Sequence, residues 1–220
     1  MTQRRRGRKP LDQETLKAGR ARLVAAARKL FGEQGVENVS VRRLTTETGM
    51  SPMSFYRYFP NKRAILIHIW DDIFTDLFAR CDAAAGSHPP REALLVYCQT
   101  FVAYWLDHRD HYLMVYCQPD VPEPGEDFFA QSTQVQRALT GLHGMICAAG
   151  VDPQAAQGTM ELVICALHGV CQSLITIPEM NWSDPDRMTR NMIGAIVASA
   201  CRQAQKVATS WRNDVTFIRL

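Results

Sequence analysis

Two short helical patterns, separated by a single glycine, occupy residues 39–62 and constrain the fold more than any other segment of the chain. Ser40 is placed to cap the first helix, because its hydroxyl can accept from backbone N–H groups two or three residues later. Gly49 can adopt the left-handed conformation that ends a helix. Ser51 is placed to cap the second helix, and Pro52 stands at its first position, where no N–H is needed. The pattern predicts two helices joined by a tight turn.

The second of these helices has one apolar side and one polar, aromatic and basic side. Phe55 and Phe59 are four residues apart and predict the buried stripe. On the outer side we place Met53, Ser54, Arg57 and Tyr58, with Tyr56 at its edge. This arrangement is typical of a helix-turn-helix that enters the major groove of DNA, and an αα-hairpin with a solvated face is the alternative. The candidate DNA-binding residues are Ser51, Pro52, Met53, Ser54, Tyr56, Arg57, Tyr58 and Lys62.

Residues 23–62 resemble the DNA-binding domain of the TetR family of bacterial transcriptional regulators. The matching features are AA…LF…G in the first helix, the capped SVRRL, the turn glycine, FYRYF in the second short helix, and NK before the next helix. The resemblance implies a dimeric, all-helical protein with a ligand-binding body, and it adds Arg42 as a candidate for base contact. Met53 departs from the family, which often has a small residue there, so we expect the backbone to approach DNA differently at that point.

Positive charge is concentrated at the start of the chain. Residues 1–63 contain 15 Lys and Arg and 5 Asp and Glu, a net charge of +10, and the remaining residues carry −7 within the total of +3. This asymmetry is typical of a protein that binds double-stranded DNA with one end. Residues 1–11 predict a disordered arm for the minor groove, with a solvated tail as the alternative. The basic residues of the arm are Arg4, Arg5, Arg6, Arg8 and Lys9.

Helical periodicity continues through the rest of the chain, so the predicted fold class is all-α with about nine helices. Asp152–Pro153 and Asp184–Pro185 are start signals for the last two long helices, and residues 128–149 predict one uninterrupted helix. We assign residues 12–62 to a helix-turn-helix domain and residues 63–220 to a ligand-binding and dimerisation domain. No strand pattern occurs, and neither does a run of about 18 apolar residues of the kind that spans a membrane.

Seven cysteines are scattered along the chain without close pairs, and no CxxC occurs. An odd number of cysteines without a pairing pattern is typical of the reducing cytoplasm. Cys165, His168 and Cys171 recur every three residues along one helix and form a candidate metal or thiol-sensing set, with packing in the core as the alternative. Because no fourth ligand can be identified, we predict no metal site and no cofactor.

Aromatic residues are concentrated in the helices that follow residue 90. Their number exceeds what a small helical core requires, and together with two methionines and a histidine they can line an apolar pocket for a small-molecule effector. For each residue, close packing in the core is the alternative. The candidate ligand-binding residues are Tyr97, Phe101, Tyr104, Trp105, Met114, Phe128, Met160 and His168, and Phe129 belongs to the same aromatic group.

The last helix has a long apolar face that predicts a partner. By resemblance to the family, the last two helices of each subunit form a four-helix bundle in a homodimer. A two-fold dimer also satisfies DNA geometry, because two recognition helices must lie about 34–36 Å apart, or a multiple of that, to enter successive major grooves. The candidate interface residues are Met188, Met192, Ile193, Ile196, Val197 and Ala200.

These patterns favour a cytoplasmic transcriptional regulator that is associated with the nucleoid when bound to DNA. We expect a repressor that a small apolar or aromatic molecule releases from a palindromic operator. A constitutive DNA-binding dimer is the alternative, and a helical enzyme that happens to contain an αα-hairpin is a third hypothesis. Because the sequence has no phosphate-binding glycine loop, HExxH or GxSxG motif, we predict no enzyme activity, and we predict no membrane partner.

Overall fold

The computed structural model describes residues 12–117 and 128–216. Within them the structure consists of ten helical segments without a strand, which confirms the predicted all-α class. These residues form two compact units, the first from residues 12–70 and 114–117 and the second from residues 71–113 and 128–216. The first unit thus includes the beginning of the fourth helix, up to Trp70, whereas the sequence places the domain boundary after Lys62.

Local side-chain chemistry sets the helix boundaries of the first unit. Asp12 caps the first helix by accepting from the Thr15 amide at 2.7 Å, and Asn61 caps the fourth by accepting from the Ala64 amide at 2.8 Å. Gly35, with φ of 78°, ends the first helix. The helices are α1 (Gln13–Gln34), α2 (Val41–Thr48), α3 (Pro52–Phe55) and α4 (Lys62–Ala85).

Helix α3 is shorter than the sequence pattern indicates. It ends at Phe55, and the amides of Arg57 and Tyr58 then bond to carbonyls three residues earlier, at 3.2 and 2.9 Å, which forms a tight turn instead of a second α-helical turn. Phe59 nevertheless reaches the core, where its ring centroid lies 6.1 Å from that of Phe55. The predicted buried pair is therefore present, although a turn and not a helix separates its two members.

The second unit is a body of longer helices. It contains the later part of α4, and α6 begins in this unit and ends in the first. Its helices after α4 are α5 (Pro90–Asp107), α6 (Arg109–Tyr116), α7 (Phe128–Gln131), α8 (Thr133–Ala148), α9 (Pro153–Thr176) and α10 (Pro185–Thr216).

The prediction of one helix over residues 128–149 is wrong, because the structure divides it into α7 and α8. Ser132 lies at the break with an extended backbone, φ −66° and ψ 116°, and its side chain accepts from the Val135 amide. A serine that caps a new helix has left the helical conformation itself, so the first helix must end before it. By contrast, Asp152 and Asp184 cap α9 and α10, as predicted.

Helix α9 is the central helix of the second unit. By length and composition it could cross a membrane, with a mean hydropathy of 1.4 over its most apolar window. It packs against α5, α8 and α10, however, and its buried residues include Val163, Leu167 and Val170. These contacts account for part of its apolar composition, since 39% of that window is buried within the chain.

Candidate functional site

The turn between α2 and α3 is fixed by backbone hydrogen bonds around Gly49. This residue has φ 65° and ψ 25°, the left-handed conformation that the sequence predicts. The Met50 amide bonds to the Thr45 carbonyl at 2.8 Å, and the Gly49 amide bonds to the Thr46 carbonyl at 3.2 Å. This pair of bonds is a Schellman motif, which satisfies the last carbonyls of α2 and sets the direction in which α3 begins.

The side of α3 and its following turn that faces solvent forms a surface that we call the recognition face. Met53 is 78% exposed and Tyr56 is 56% exposed, and the Arg57 side chain is also exposed. Within the described residues, Arg57 has no side-chain hydrogen bond or ion pair, so its guanidinium is available to a ligand. The recognition face consists of Ser51, Pro52, Met53, Tyr56 and Arg57.

Two residues expected on this face have other contacts. The Ser54 hydroxyl is 2.8 Å from the Ser51 hydroxyl, and Ser54 is only half-exposed. Tyr58 is half-buried and lies against Gly19 of α1, so close that a Cβ on Gly19 would overlap the Tyr58 hydroxyl. The placement of Tyr58 on the outer side is therefore wrong, because Tyr58 lies three residues after buried Phe55, on the same side of the segment, and its ring packs against α1.

We expect Gly19→Ala to destabilise the first unit by about 1–3 kcal/mol, the usual cost of overpacking a filled site. Alanine in an open helical position normally has the opposite effect, a gain of about 0.5–1 kcal/mol over glycine. Gly141→Ala on α8 is the matched control, since open space surrounds that position. Thermal unfolding monitored by circular dichroism measures the stability of both variants. If Tyr58→Ala does not restore stability to the Gly19→Ala variant, the packing contact is not the cause.

Lys62 binds within its own unit. Its Nζ donates to the Val36 carbonyl at 2.8 Å, in the segment between α1 and α2, and the bond is partly buried. The residue therefore anchors that loop to the start of α4, a role that its position in the sequence did not indicate. An ammonium group has three donors, so two remain for another acceptor.

Other basic side chains of α1 also have partners inside the unit. The guanidinium of Arg20 lies 4.7 Å from the centroid of the Phe59 ring, and Arg22 donates to the Thr48 carbonyl at the end of α2. Arg42 is exposed and, in the part of the chain that the structure describes, its side chain has no such partner. Arg42 and Arg57 are thus the candidate DNA-binding residues whose guanidinium groups have no partner among the described residues. The arm residues Arg4, Arg5, Arg6, Arg8 and Lys9 lie outside the described residues.

The apolar face predicted on α10 is divided between two environments. Ile193, Val197 and Ala200 are buried, and α10 packs against α5 and α9 of the same chain. Met192 is exposed, and Met188 and Ile196 are half-exposed. The assignment of Ile193 and Val197 to a dimer interface is therefore corrected, because these side chains already fill the core of their own subunit.

A groove of about 570 Å³ lies between α9 and α10. Leu162 contributes to it and is 59% exposed, which is unusual for a leucine on a central helix. Sequence reasoning missed this residue, although Gly158 and Ala166, one helical turn before and after it, were a signal, since small residues let helices approach closely. The residues that define this α9–α10 groove are Gln154, Ala155, Gly158, Leu162, Ala195, Ile196 and Ser199.

An aromatic cluster fills the core of the second unit around Trp105, which is fully buried. Its ring centroid lies 5.4 to 6.3 Å from those of Phe74, Phe101, Tyr104 and Tyr112. His168 lies edge-on to Phe101 at 5.7 Å, and its Nδ1 is 3.5 Å from the Tyr112 hydroxyl. Burial lowers the pKa of His168, so the imidazole is neutral at pH 7.

Helix α7 adds two rings to this cluster. Phe128 and Phe129 lie 6.1 and 6.0 Å from the Phe74 ring, and Phe129 is partly exposed. Tyr97 and Met160 are buried on α5 and α9, and Met114 is buried and belongs to the first unit. Of the predicted ligand-binding set, the aromatic cluster thus brings together Phe101, Tyr104, Trp105, Phe128 and His168.

The structure separates the three residues of the candidate sensing set. Cys165 is exposed, Cys171 is buried, and His168 faces the aromatic cluster. Burial raises the pKa of the Cys171 thiol to about 12, which keeps it protonated and unreactive. Among the described residues no group of three potential ligands is arranged to hold a metal ion, so core packing is the better account of Cys171.

Residues 23–69 match the family model of the bacterial regulatory proteins of the tetR family. This segment is therefore a DNA-binding domain of the TetR family. The match contains α2, α3 and the beginning of α4, together with the part of α1 on which they pack. The recognition face is therefore the surface of a TetR-family DNA-binding domain.

Relatives of this chain are also described as helix-turn-helix regulators. It is 30% identical over 96 residues to the HTH-type transcriptional regulator SAR2658 of Staphylococcus aureus (strain MRSA252), a match that covers 42% of this chain. The aligned segment spans 51% of that relative, so the chain spans about half of its length. The match therefore covers less than half of this chain.

Solved structures share the fold over most of the chain. A protein of unknown function from Rhodococcus sp. RHA1 superposes with a TM-score of 0.69 at 18% identity, covering 88% of this chain and 100% of that one. A Saccharomonospora viridis protein in complex with choline gives a TM-score of 0.63 at 19% identity, covering 80% of this chain and 94% of that one. At these identities the likeness establishes the fold alone.

Proposed function

We propose that this chain is a DNA-binding transcriptional regulator of the TetR type, acting as a repressor that a small apolar or aromatic molecule releases from a palindromic operator. The observation that carries the proposal is the recognition face. Exposed Arg57, which has no partner among the described residues, lies beside exposed Met53 and Tyr56. The Gly49 turn fixes the direction of this segment. We place the regulator in the cytoplasm, and at the nucleoid when it is bound to DNA.

Each residue of the recognition face suits one kind of DNA contact. The Arg57 guanidinium can donate two hydrogen bonds to O6 and N7 of one guanine, the most common specific contact in the major groove. The exposed Met53 side chain can pack against a thymine methyl, and the hydroxyls of Tyr56 and Ser51 can donate to phosphates. Arg42 supplies a further cation from α2.

Selection of binding sites from a random DNA pool tests this function. We expect an enriched palindrome whose half-sites are about 10–10.5 base pairs apart, centre to centre, or a multiple of that spacing. Footprinting on genomic DNA then identifies the genes beside each site. Recovery of unrelated sequences, bound with equal affinity, would contradict sequence-specific regulation.

For Lys62 the structure supports a stabilising role. We expect Lys62→Ala to lower the free energy of unfolding by about 1.5–3 kcal/mol, the usual contribution of a hydrogen bond to a charged group. We expect it to leave the salt dependence of DNA affinity unchanged. A direct phosphate contact, which the sequence predicts, would instead reduce the slope of log K against log salt by about one unit. Chemical denaturation and DNA titration at four salt concentrations separate these results.

We propose a homodimer in which the α9–α10 groove of one subunit meets that of the other. Leu162 and Met192 expose apolar surface on these two helices, and Gly158, Ala195 and Ser199 present little side-chain bulk. Small residues allow two helix pairs to pack closely, and a protruding leucine can fill the groove of a partner. Both features support a four-helix bundle formed by α9 and α10 of each subunit.

The aromatic cluster supports the effector part of the proposal. Phe129 is the ring of this cluster that is partly exposed, and it can hold an aromatic molecule by stacking or a quaternary ammonium by cation–π attraction. Phe74 of the cluster lies on α4, which begins at Lys62 and continues without interruption to Ala85. A ligand that prefers one position of α4 would change the spacing of the recognition faces in a dimer.

Titration of the operator complex with choline and with aromatic amines and acids tests the effector. A 100-fold loss of operator affinity requires about 2.7 kcal/mol of preference for the released state, and no ligand can exceed its own differential affinity. Choline is the first probe because it is bound in the Saccharomonospora viridis protein of the same fold. If no compound shifts operator affinity, the second candidate, a constitutive DNA-binding dimer, is supported.

A further inference from the structure

A cavity in the second unit lies apart from the aromatic cluster. It has a volume of about 200 Å³ and lies between the start of α5, the end of α8 and the middle of α10. Leu94 and Leu95 of α5 and Ile193 and Val197 of α10 form apolar walls. Two arginines, Arg91 and Arg190, line the same cavity, which makes it an apolar space with a cationic rim.

Arg91 is held in place by the turn between α8 and α9. Its Nε donates to the Ala149 carbonyl at 2.9 Å, and its Nη2 lies beside Gly150, where a Cβ would be 3.6 Å away. Gly150 has φ of 99°, so the turn has a conformation that a glycine adopts most readily. The bond uses one of the five donors of the guanidinium and fixes its plane, which leaves the terminal nitrogens for another acceptor.

Arg190 brings a second guanidinium to the cavity from α10. Among the described side chains, no carboxylate pairs with either arginine. Glu92, the neighbour of Arg91 in the chain, pairs instead with His88 at 3.3 Å. Both arginines are exposed at the rim, so an anion bound in the cavity would be attracted by two positive charges.

We infer that this cavity binds a small monocarboxylate with an apolar body. The carboxylate accepts hydrogen bonds from Arg91 and Arg190, an arrangement in which planar guanidinium groups are strongest. The hydrocarbon part packs against Leu94, Ile193 and Val197, which gains the free energy of removing it from water. The site thus discriminates in favour of molecules that are both anionic and apolar. It is separate from the aromatic cluster, and it does not depend on the proposed DNA function.

Hexanoate is the probe that tests the site, with three compounds as its controls. Hexan-1-ol keeps the chain and lacks the charge, hexylammonium reverses the charge, and acetate keeps the carboxylate and lacks the chain. Calorimetric titration of the full chain at constant ionic strength should show hexanoate binding at least tenfold tighter than each of these. Methyl NMR should place the largest shifts at Leu94, Ile193 and Val197.

Arg190→Met is the decisive variant, because it removes the charge, keeps an apolar stem and lies at an exposed position. We expect it to weaken hexanoate binding at least tenfold and to leave hexan-1-ol binding unchanged. Arg137→Met on α8 is the matched control, since that arginine is exposed and does not line the cavity. Unchanged hexanoate affinity in Arg190→Met, shifts centred on the aromatic cluster, or no binding of hexanoate at millimolar concentration would overturn the inference.

Discussion

Leu162→Asp should convert the protein from dimers into monomers of 24.8 kDa. Leu162 is the most exposed large apolar side chain on α9, and in the proposed bundle it would be buried against the partner subunit. A charge at that position would have to be desolvated without a partner in the interface, whereas in the monomer it would remain in water. The substitution therefore acts against the dimer and leaves the folded subunit nearly unaffected.

The consequence for DNA binding should be large. Two linked recognition faces bind a palindrome with an avidity that exceeds single-site binding by on the order of 10²–10⁴-fold. Monomers lose that gain, so operator affinity should fall by a factor in this range while affinity for an isolated half-site is unchanged. Analytical ultracentrifugation and titration with full and half operators measure the two effects.

Met180→Asp is the control for the dimer experiment. Met180 is also exposed, at 55%, but it lies in the segment between α9 and α10 and not on the groove. The Met180→Asp variant should remain dimeric and bind the operator as the unmodified chain does. If Leu162→Asp sediments as a dimer, the interface lies elsewhere. Ile196→Asp is a weaker test, because Ile196 is half-buried and the substitution also costs folding free energy.

The helix boundaries were predictable because capping is local. Ser40, Ser51, Asp152 and Asp184 each accept from an amide two or three residues later, as their sequence positions indicate. Nothing beyond those few residues is needed to form these bonds. The same reasoning overlooked Ser132, whose cap interrupts an otherwise regular apolar pattern. A serine inside a periodic stretch is compatible with either result, so the sequence alone does not decide between them.

The faces of the helices were less predictable because they depend on distant partners. Helix α10 has apolar residues on adjacent faces. Periodicity does not show which of these faces packs against the rest of the same chain and which is exposed. The structure directs Ile193 and Val197 inward and leaves Met192 exposed. Tyr58 illustrates a second cause. It lies three residues after buried Phe55, on the same side of the segment, and the Gly19 position on α1 leaves room for its ring.

Basic residues present a third difficulty, since their charge does not reveal what they bind. Lys62 and Arg57 are close in sequence and were both assigned to DNA. The structure gives Lys62 an internal acceptor, the Val36 carbonyl, and leaves Arg57 exposed. The Val36 carbonyl is 26 residues away in the chain, so the sequence around Lys62 does not indicate this hydrogen bond. The two residues are therefore expected to respond differently to substitution.

Arg57→Ala should lower affinity for the selected operator by about 5- to 150-fold per half-site, which corresponds to about 1–3 kcal/mol. The reason is the loss of a bidentate contact to guanine, which alanine cannot replace and water replaces poorly. The Arg57→Ala variant should discriminate less between bases at one base pair of each half-site. Its affinity for scrambled DNA should change far less. Stability should be unaffected, because the side chain is exposed and has no partner among the described residues.

Two further variants make the Arg57 result specific. Arg57→Lys keeps the charge but not the planar pair of donors, so it should retain binding to scrambled DNA and still lose most of the discrimination at that base pair. Arg137→Ala removes the same charge from the exposed surface of α8 and should leave operator affinity unchanged. Affinities for operator and scrambled DNA, measured at several salt concentrations, give both the specificity and the salt slope. If Arg57→Ala weakens the two DNAs equally and lowers the slope by one unit, Arg57 contacts a phosphate, and base recognition must be assigned to Met53, Tyr56 or Arg42.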